Sequence, residues 1–339
     1  MLNKKVAVLH TGGTFAMATD DKGTDRQNYE NFSQSLNRFT KDFIDKNNVT
    51  LHEESVLNEA SSNITKENLF NLRKKVIELM TKVDGIVITH GTDTLEETAY
   101  FLDITVSCKV PVVLIGAMRP INNEGSDAIK NFMSAILIAK SEKSVGKGVL
   151  VLMNEEIHPA RSVIKTHTTN VNAFSSLDFG YIGKLYTNGR VFFDRELPNT
   201  KVYNINSFQK KVILVKLTQG METTIFDALE ALEFKNNIIS YDGIVVEGMG
   251  LGHVPKVIIP SLQRLEEKNI AILMATRCIS GIVQPVYSYE GGLKDLKENK
   301  LKNLIFAGNI NSLKARIKLE VLLEMGYDID DIKNEFDIF

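Results

Sequence analysis

The stretch Gly85-Ile-Val-Ile-Thr-His-Gly-Thr-Asp-Thr94 constrains this chain more than any other. A short apolar run, Gly85 to Ile88, breaks abruptly into six polar or small residues. Leu95-Glu-Glu-Thr-Ala-Tyr-Phe-Leu-Asp103 then carries apolar side chains at helical spacing. That order reads as buried strand, tight polar turn and helix start. In a parallel α/β sheet, the turn at a strand's carboxyl end is where ligands bind. A hydroxyl and a carboxylate, Thr92 and Asp93, stand side by side at such a turn. Thr94 with Glu97 also fits a capping box, which requires no ligand. Thr94 is therefore assigned to the cap and Thr92-Asp93 to chemistry.

The pattern recurs along the chain. Strand Val6–Leu9 runs into His10-Thr-Gly-Gly-Thr14, where adjacent glycines allow close approach of a ligand and supply oriented N–H groups. No Gly-Lys-Ser/Thr is present, so this is not a phosphate loop. Residues 18–31 are polar and aperiodic, which predicts a surface loop beside the Gly-Gly turn, either a lid or a plain connector. Ser61 and Ser62 precede a helix expected from Thr65 to about Met80; they are ligand donors or ordinary turn residues. Strand Val110–Ile115 ends in Gly116-Ala-Met-Arg-Pro120, a helix spans Asn131–Lys140, and strand Val149–Met153 follows. In Arg161–Asn170, Lys165 sits between apolar Val163-Ile164 and a run of hydroxyls. A lysine there is commonly just solvated, but buried beside Asp93 it would be available as a base.

From Asp178 to Lys211 the turn residues suggest a short hairpin and an extended linker. A second α/β unit follows, with strands at Lys211–Leu217, Gly243–Val246, Ile270–Met274 and Leu304–Ala307. Its helices are expected at Pro255–Lys268 and Ser312–Met325. Glycines 248, 250 and 252 resemble half a dinucleotide fingerprint, but no acidic residue follows at the required spacing, which argues against a nucleotide. The expected division is an N-terminal catalytic α/β domain over 1–193, a linker over 194–211 and a smaller α/β domain over 212–339.

Charge is balanced at 40 basic and 42 acidic residues, net −2 and without long runs, so neither nucleic acid nor an anionic membrane is an expected partner. Cys108 and Cys278 are the only cysteines, in no metal-ligand spacing and too few for a disulfide framework. The apolar run after Met1 is far shorter than a signal-peptide core and reads as a first strand. No apolar run approaches the roughly 20 residues that span a bilayer. A cytoplasmic protein is expected.

Two threonines, an aspartate and a lysine at strand ends suit hydrolysis at a carbonyl: a hydroxyl needs a base to become a nucleophile, and turn N–H groups at Gly12-Gly13, Gly91 or Ala117 can hold an oxyanion. Thr11-Gly-Gly-Thr14, His90-Gly-Thr-Asp-Thr94 followed by Glu-Glu-Thr, Gly116-Ala-Met-Arg-Pro120 and Lys165-Thr-His-Thr-Thr resemble the motifs of bacterial L-asparaginases, and the expected lack of a signal peptide suggests their cytoplasmic type I branch. The resemblance continues through Ala307-Gly-Asn-Ile-Asn311 and Lys314-Ala-Arg316. It implies a large N-terminal α/β domain with a mostly parallel sheet flanked by helices, and a smaller C-terminal α/β domain. It implies Thr14 as primary nucleophile, with Thr92, Asp93 and Lys165 as a supporting set. Ser61 and Ser62 would hold the substrate's α-carboxylate and amine, while Gly91 and Ala117 would border the site. Homodimers or homotetramers with sites between subunits are implied, and no metal or cofactor. The chain departs from the pattern at Thr24, where some members place a first-loop tyrosine; Tyr29 lies five residues on as a substitute. Leu251 stands where secreted members often carry an asparagine. Two alternatives follow: a binding relative without turnover, or an amidotransferase subunit acting on aminoacyl-tRNA.

Overall fold

A computed structural model describes residues 3–13, 17–19, 25–27, 29–197, 200–234 and 241–336. The chain divides into two compact units, Met1–Val202 and Tyr203–Phe339.

The first unit is built on an eight-stranded sheet. Its parallel part comprises β1 (Lys4–Gly12), β4 (Val49–Glu59), β5 (Gly85–Thr89), β6 (Val112–Ile115) and β7 (Val149–Met153). The edge is extended antiparallel by β8 (Glu156–Pro159), β11 (Gly183–Leu185) and β12 (Val191–Phe193). Spatial order is β12-β11-β8-β7-β6-β5-β1-β4. The short hairpin expected after Asp178 is β11–β12, with Leu185 opposite Val191. Two small ribbons lie outside the sheet: β2 (Met17–Thr19) with β3 (Asp25–Gln27), and β9 (Ile164–Lys165) with β10 (Phe174–Ser175).

The central strands are apolar without alternation because both faces are covered. Val6, Val8, Val87, Val113 and Leu150 share one core with Leu36 of α1 (Tyr29–Lys46) and with Phe132 and Ile136 of α4 (Ala128–Ala139). On the sheet α2 (Lys66–Leu79) packs with α3 (Leu95–Thr105), which touches β6 and β7. Each fully buried aliphatic side chain contributes roughly 1.5–3 kcal/mol. The first crossover carries the chain from β1 to β4 on one side; the next places β5 on β1's other side, with His10 opposite Thr89. The adjoining carboxyl ends of β1 and β5 therefore form a topological switch point, where a crevice opens above a doubly wound sheet.

Three helices differ from the sequence reading. α1 begins at Tyr29, inside the stretch read as aperiodic loop; Leu36, Thr40, Phe43 and Ile44 supply its inward face at helical spacing. α5 (Thr224–Phe234) and α9 (Ile329–Phe336) also lacked a sequence signal strong enough to place them. Within residues 18–28, where an aperiodic loop was expected, Ala18 and Thr19 pair with Arg26 and Asp25 in the β2–β3 ribbon; residues 20–24 and 28 lie outside the described residues.

The second unit has a four-stranded parallel sheet in the order β13 (Val212–Lys216), β14 (Gly243–Gly248), β15 (Ala271–Thr276) and β16 (Ile305–Phe306). Helices α5, α6 (Ile259–Glu267), the single turn α7 (Leu293–Asp295), α8 (Ser312–Glu324) and α9 accompany it. Ile244, Val246, Ile272 and Met274 form its core with Phe226, Leu262 and Leu265. Among the described residues no helix is long and apolar enough to cross a membrane.

Candidate active site

The turn after β5 fits against the turn after β1 with no room to spare. A Cβ on Gly13 would lie 2.3 Å from the Cα of Gly91, and one on Gly91 would lie 2.7 Å from the Ser61 side chain. Gly13 also has φ +75°, a conformation costly for any residue with a Cβ. Its N–H donates to the Glu59 carbonyl at 3.1 Å. Three segments thus meet at Gly13, Gly91 and Ser61, and all three were singled out in the sequence.

Thr92 follows directly and is buried; Asp93 beside it is exposed. Lys165 reaches both: its Nζ donates to Thr92 Oγ1 at 2.9 Å and pairs with Asp93 Oδ1 at 2.6 Å. The β9–β10 ribbon presents the lysine, with Lys165 opposite Phe174 and the Thr166 N–H donating to the Ala173 carbonyl. Its side chain is 15% exposed, against 70% for Asp93, so one charge is largely withdrawn from solvent while its partner remains wet. Residues 73 and 72 positions apart are joined in one hydroxyl–amine–carboxylate set.

Gly116 abuts Thr92: a Cβ there would sit 2.7 Å from Thr92 Cγ2. Ala117 is buried beside it. The Asp127 carboxylate accepts the N–H groups of Met118 and Arg119 at 3.0–3.1 Å, and Asn131 donates to the Gly116 carbonyl, which fixes this third turn. Ser62 is exposed next to buried Ser61. Thr14 and Thr24 lie outside the described residues. Tyr29 opens α1, and its side chain lies outside them too. Leu251 belongs to the second unit.

The Thr94 assignment is corrected. Thr94 occupies the N-cap position of α3 but makes no side-chain cap; its hydroxyl instead donates to the Ser61 carbonyl at 2.9 Å. Tertiary contact outcompetes the local capping box here. At α2 the box does form, between Thr65 and Asn68.

Sequence reasoning also missed His90 and Thr98. Nδ1 of His90 lies 2.8 Å from the Gly91 carbonyl and Nε2 lies 2.9 Å from Thr98 Oγ1. A carbonyl can only accept, so Nδ1 carries the proton and Nε2 accepts from Thr98. Burial pushes the imidazole pKa down to about 4, and the Gly91 carbonyl opposes that only in part. The ring is neutral at pH 7. Its only signal in the sequence was a histidine inside a glycine turn, eight residues before a threonine of the helix that follows.

Among the described residues no group of three or more His, Cys, Asp or Glu side chains converges as metal ligands would. Chemically, the arrangement supplies a hydroxyl held by an amine, a carboxylate that orients the amine, and turn amides able to hold negative charge.

Comparison with known proteins gives one answer across the chain. Residues 5–199 match the family model described as Asparaginase, N-terminal, and residues 211–336 match Glutaminase/Asparaginase C-terminal domain. L-asparaginase 2 of Escherichia coli is 31% identical, with 98% of this chain and 92% of that protein covered. A glutaminase-asparaginase of Acinetobacter glutaminasificans is also 31% identical, with 98% of each covered. The crystal structure of a probable cytoplasmic L-asparaginase from Campylobacter jejuni superposes with a TM-score of 0.83 at 32% identity, covering 98% of this chain and 99% of that one.

Proposed function

The chain belongs to the asparaginase family, and from that premise we propose that it hydrolyses the side-chain amide of L-asparagine to L-aspartate and ammonia. The observation that carries this reading is the Lys165–Thr92–Asp93 set beside the packed Gly13, Gly91 and Ser61 turns.

Thr14, one residue beyond Gly13, acts as primary nucleophile. Its Oγ bonds to the amide carbon, and the carbonyl oxygen takes negative charge opposite the turn amides. Collapse breaks the C–N bond. The Thr14 proton reaches the departing nitrogen through Thr92 and Lys165, giving ammonia and an aspartyl ester on Thr14. Water then attacks the ester, its proton returns to Thr14 through the same relay, and L-aspartate leaves. Asp93 orients Lys165, and with Ser61 and Ser62 it receives the substrate's amine and carboxylate. Ala117 lies at the amide end, Gly91 borders the substrate, and Tyr29 substitutes for the first-loop tyrosine that Thr24 replaces. No cofactor takes part.

The enzyme works as a cytoplasmic homodimer or homotetramer; free thiols at Cys108 and Cys278 fit a reducing compartment. Ammonia release from L-asparagine and from L-glutamine, by wild type and Thr14→Ala, tests the reading. Asparagine turnover abolished by the substitution is expected. Thr14→Ala at the wild-type rate contradicts it, and a wild type that binds aspartate without releasing ammonia makes this a binding protein.

A further inference from the structure

The geometry points to His90 as a positioning residue that, held by Thr98, aims the Thr92 amide at the reacting carbonyl; this rests on the amidohydrolase reading. The Gly91–Thr92 peptide is trans, so its C=O and N–H point in opposite directions. The C=O is bound by His90 Nδ1–H at 2.8 Å, on the buried side of the turn. The Thr92 N–H must therefore point away from the buried ring. No carbonyl or side chain of a described residue accepts it. An N–H left open beside a catalytic hydroxyl is what a developing oxyanion requires, and its value depends on being fixed before the reaction.

Two features make the ring suited to this work. Thr98 is one turn into α3, 1% exposed, and donates to Nε2, which anchors the ring in the tautomer that the Gly91 carbonyl requires. The ring is fully buried and neutral, so it holds the peptide by a directed bond without placing a positive charge under the site. Rotation of the Gly91–Thr92 plane would break that bond and leave a buried N–H and C=O unpaired. Glycine at 91 has no side chain to resist such rotation; packing against Gly13 and Ser61 confines the turn, and the bond from His90 fixes the orientation of its peptide plane.

The test compares His90→Leu, His90→Asn, Thr98→Val and Thr98→Ser with wild type. Asn can place an amide N–H near the position of Nδ1, and Ser keeps the donor to Nε2. Readouts are kcat and KM for L-asparagine, Kd for L-aspartate by calorimetry, and Tm. Expected are a kcat at least 30-fold lower in His90→Leu, recovered to within fivefold of wild type in His90→Asn, and a 3–10-fold loss in Thr98→Val that Thr98→Ser restores. KM and the aspartate Kd should stay within twofold, because the open N–H matters most when charge develops. Full kcat in both His90→Leu and Thr98→Val overturns the assignment. So does a loss of kcat matched by an equal loss of aspartate binding, or no recovery in Thr98→Ser and His90→Asn. A wild type that releases no ammonia overturns the amidohydrolase reading itself, whereas an active wild type with unaffected variants removes only the role of His90. Should His90→Leu fail to fold, the Thr98 pair and His90→Asn decide the question.

Discussion

Two turns in this protein share one address and differ in what they do with it. The His90–Thr94 turn ends β5, and the Met249–His253 turn ends β14; each closes a buried parallel strand in its own unit. The second folds back on itself. Met249 N–H donates to the His253 carbonyl, His253 N–H and Gly252 N–H donate to the Met249 carbonyl, and Thr276 Oγ1 donates to the Gly250 carbonyl. Gly248 packs on Gly252 so closely that a Cβ would lie 2.7 Å from backbone. The carboxylate just before it, Glu247, is buried under the Ser312 hydroxyl and paired with Lys216. In the first turn the histidine binds inward, while the Thr92 hydroxyl meets an amine from a distant ribbon and no described residue accepts the Thr92 N–H. A strand-end turn becomes a site when its polar groups are left over after the fold has been satisfied. Position at the carboxyl end of a parallel strand is only the opportunity.

Breaking the first turn's chemistry should have the largest effect. Lys165→Met removes the amine while keeping its apolar stem, and kcat for L-asparagine should fall by about 10³ with Tm nearly unchanged. Glu247→Gln, the carboxylate change in the other unit, should leave kcat unaltered in the same ammonia assay. Gly13→Ala comes next: a Cβ 2.3 Å from Gly91 Cα at φ +75° should cost more than about 3 kcal/mol in urea denaturation.

The two histidines sharpen the comparison through pH. His90 titrates near 4 in the folded protein and near 6.5 unfolded, so between those values the unfolded chain holds more protons. Stability should fall as pH drops through 6.5 and the loss should level off below about 4, amounting to about 3 kcal/mol from this group. His90→Asn should remove that part of the slope in chemical denaturation at pH 7, 5.5 and 4.5. His253 is only partly buried, and burial lowers its pKa less, so His253→Gln should flatten the same curve less than His90→Asn. The smallest effect belongs to Gly250→Ala. Its φ is +54°, but the nearest atom to a new Cβ is 4.0 Å away, so about 1 kcal/mol of backbone strain and an unchanged kcat are expected.

Much of this was legible in the sequence because period and punctuation agree. Apolar runs with no alternation marked β1, β5, β6, β7 and β14 as doubly covered strands, and the glycine and threonine breaks after them marked the turns. The residues brought together at the site, Ser61, Gly91, Thr92, Asp93 and Lys165, were readable as types at strand ends. Their meeting was not, since nothing local ties a lysine on a two-residue ribbon to a threonine 73 positions earlier. Thr94 shows the opposite failure: a clear local signal for capping gave way to a carbonyl 33 residues away. His90 and Thr98 were harder to read: one partner of the ring is a backbone carbonyl, which every residue has, and a His-Gly turn alone does not mark a bond to a helix residue eight positions on. α1 was lost for another reason. Its polar faces mask four inward side chains unless the helical period is tested across the whole stretch.

The central claim is that the Thr92 hydroxyl, held by Lys165, takes part in cleaving the amide. The most direct measurement is single-turnover ammonia release from L-asparagine by wild type and Thr92→Val, with aspartate binding measured on both. Release at least a thousandfold slower in Thr92→Val, with aspartate still bound, is the result predicted. Release at the wild-type rate would contradict it.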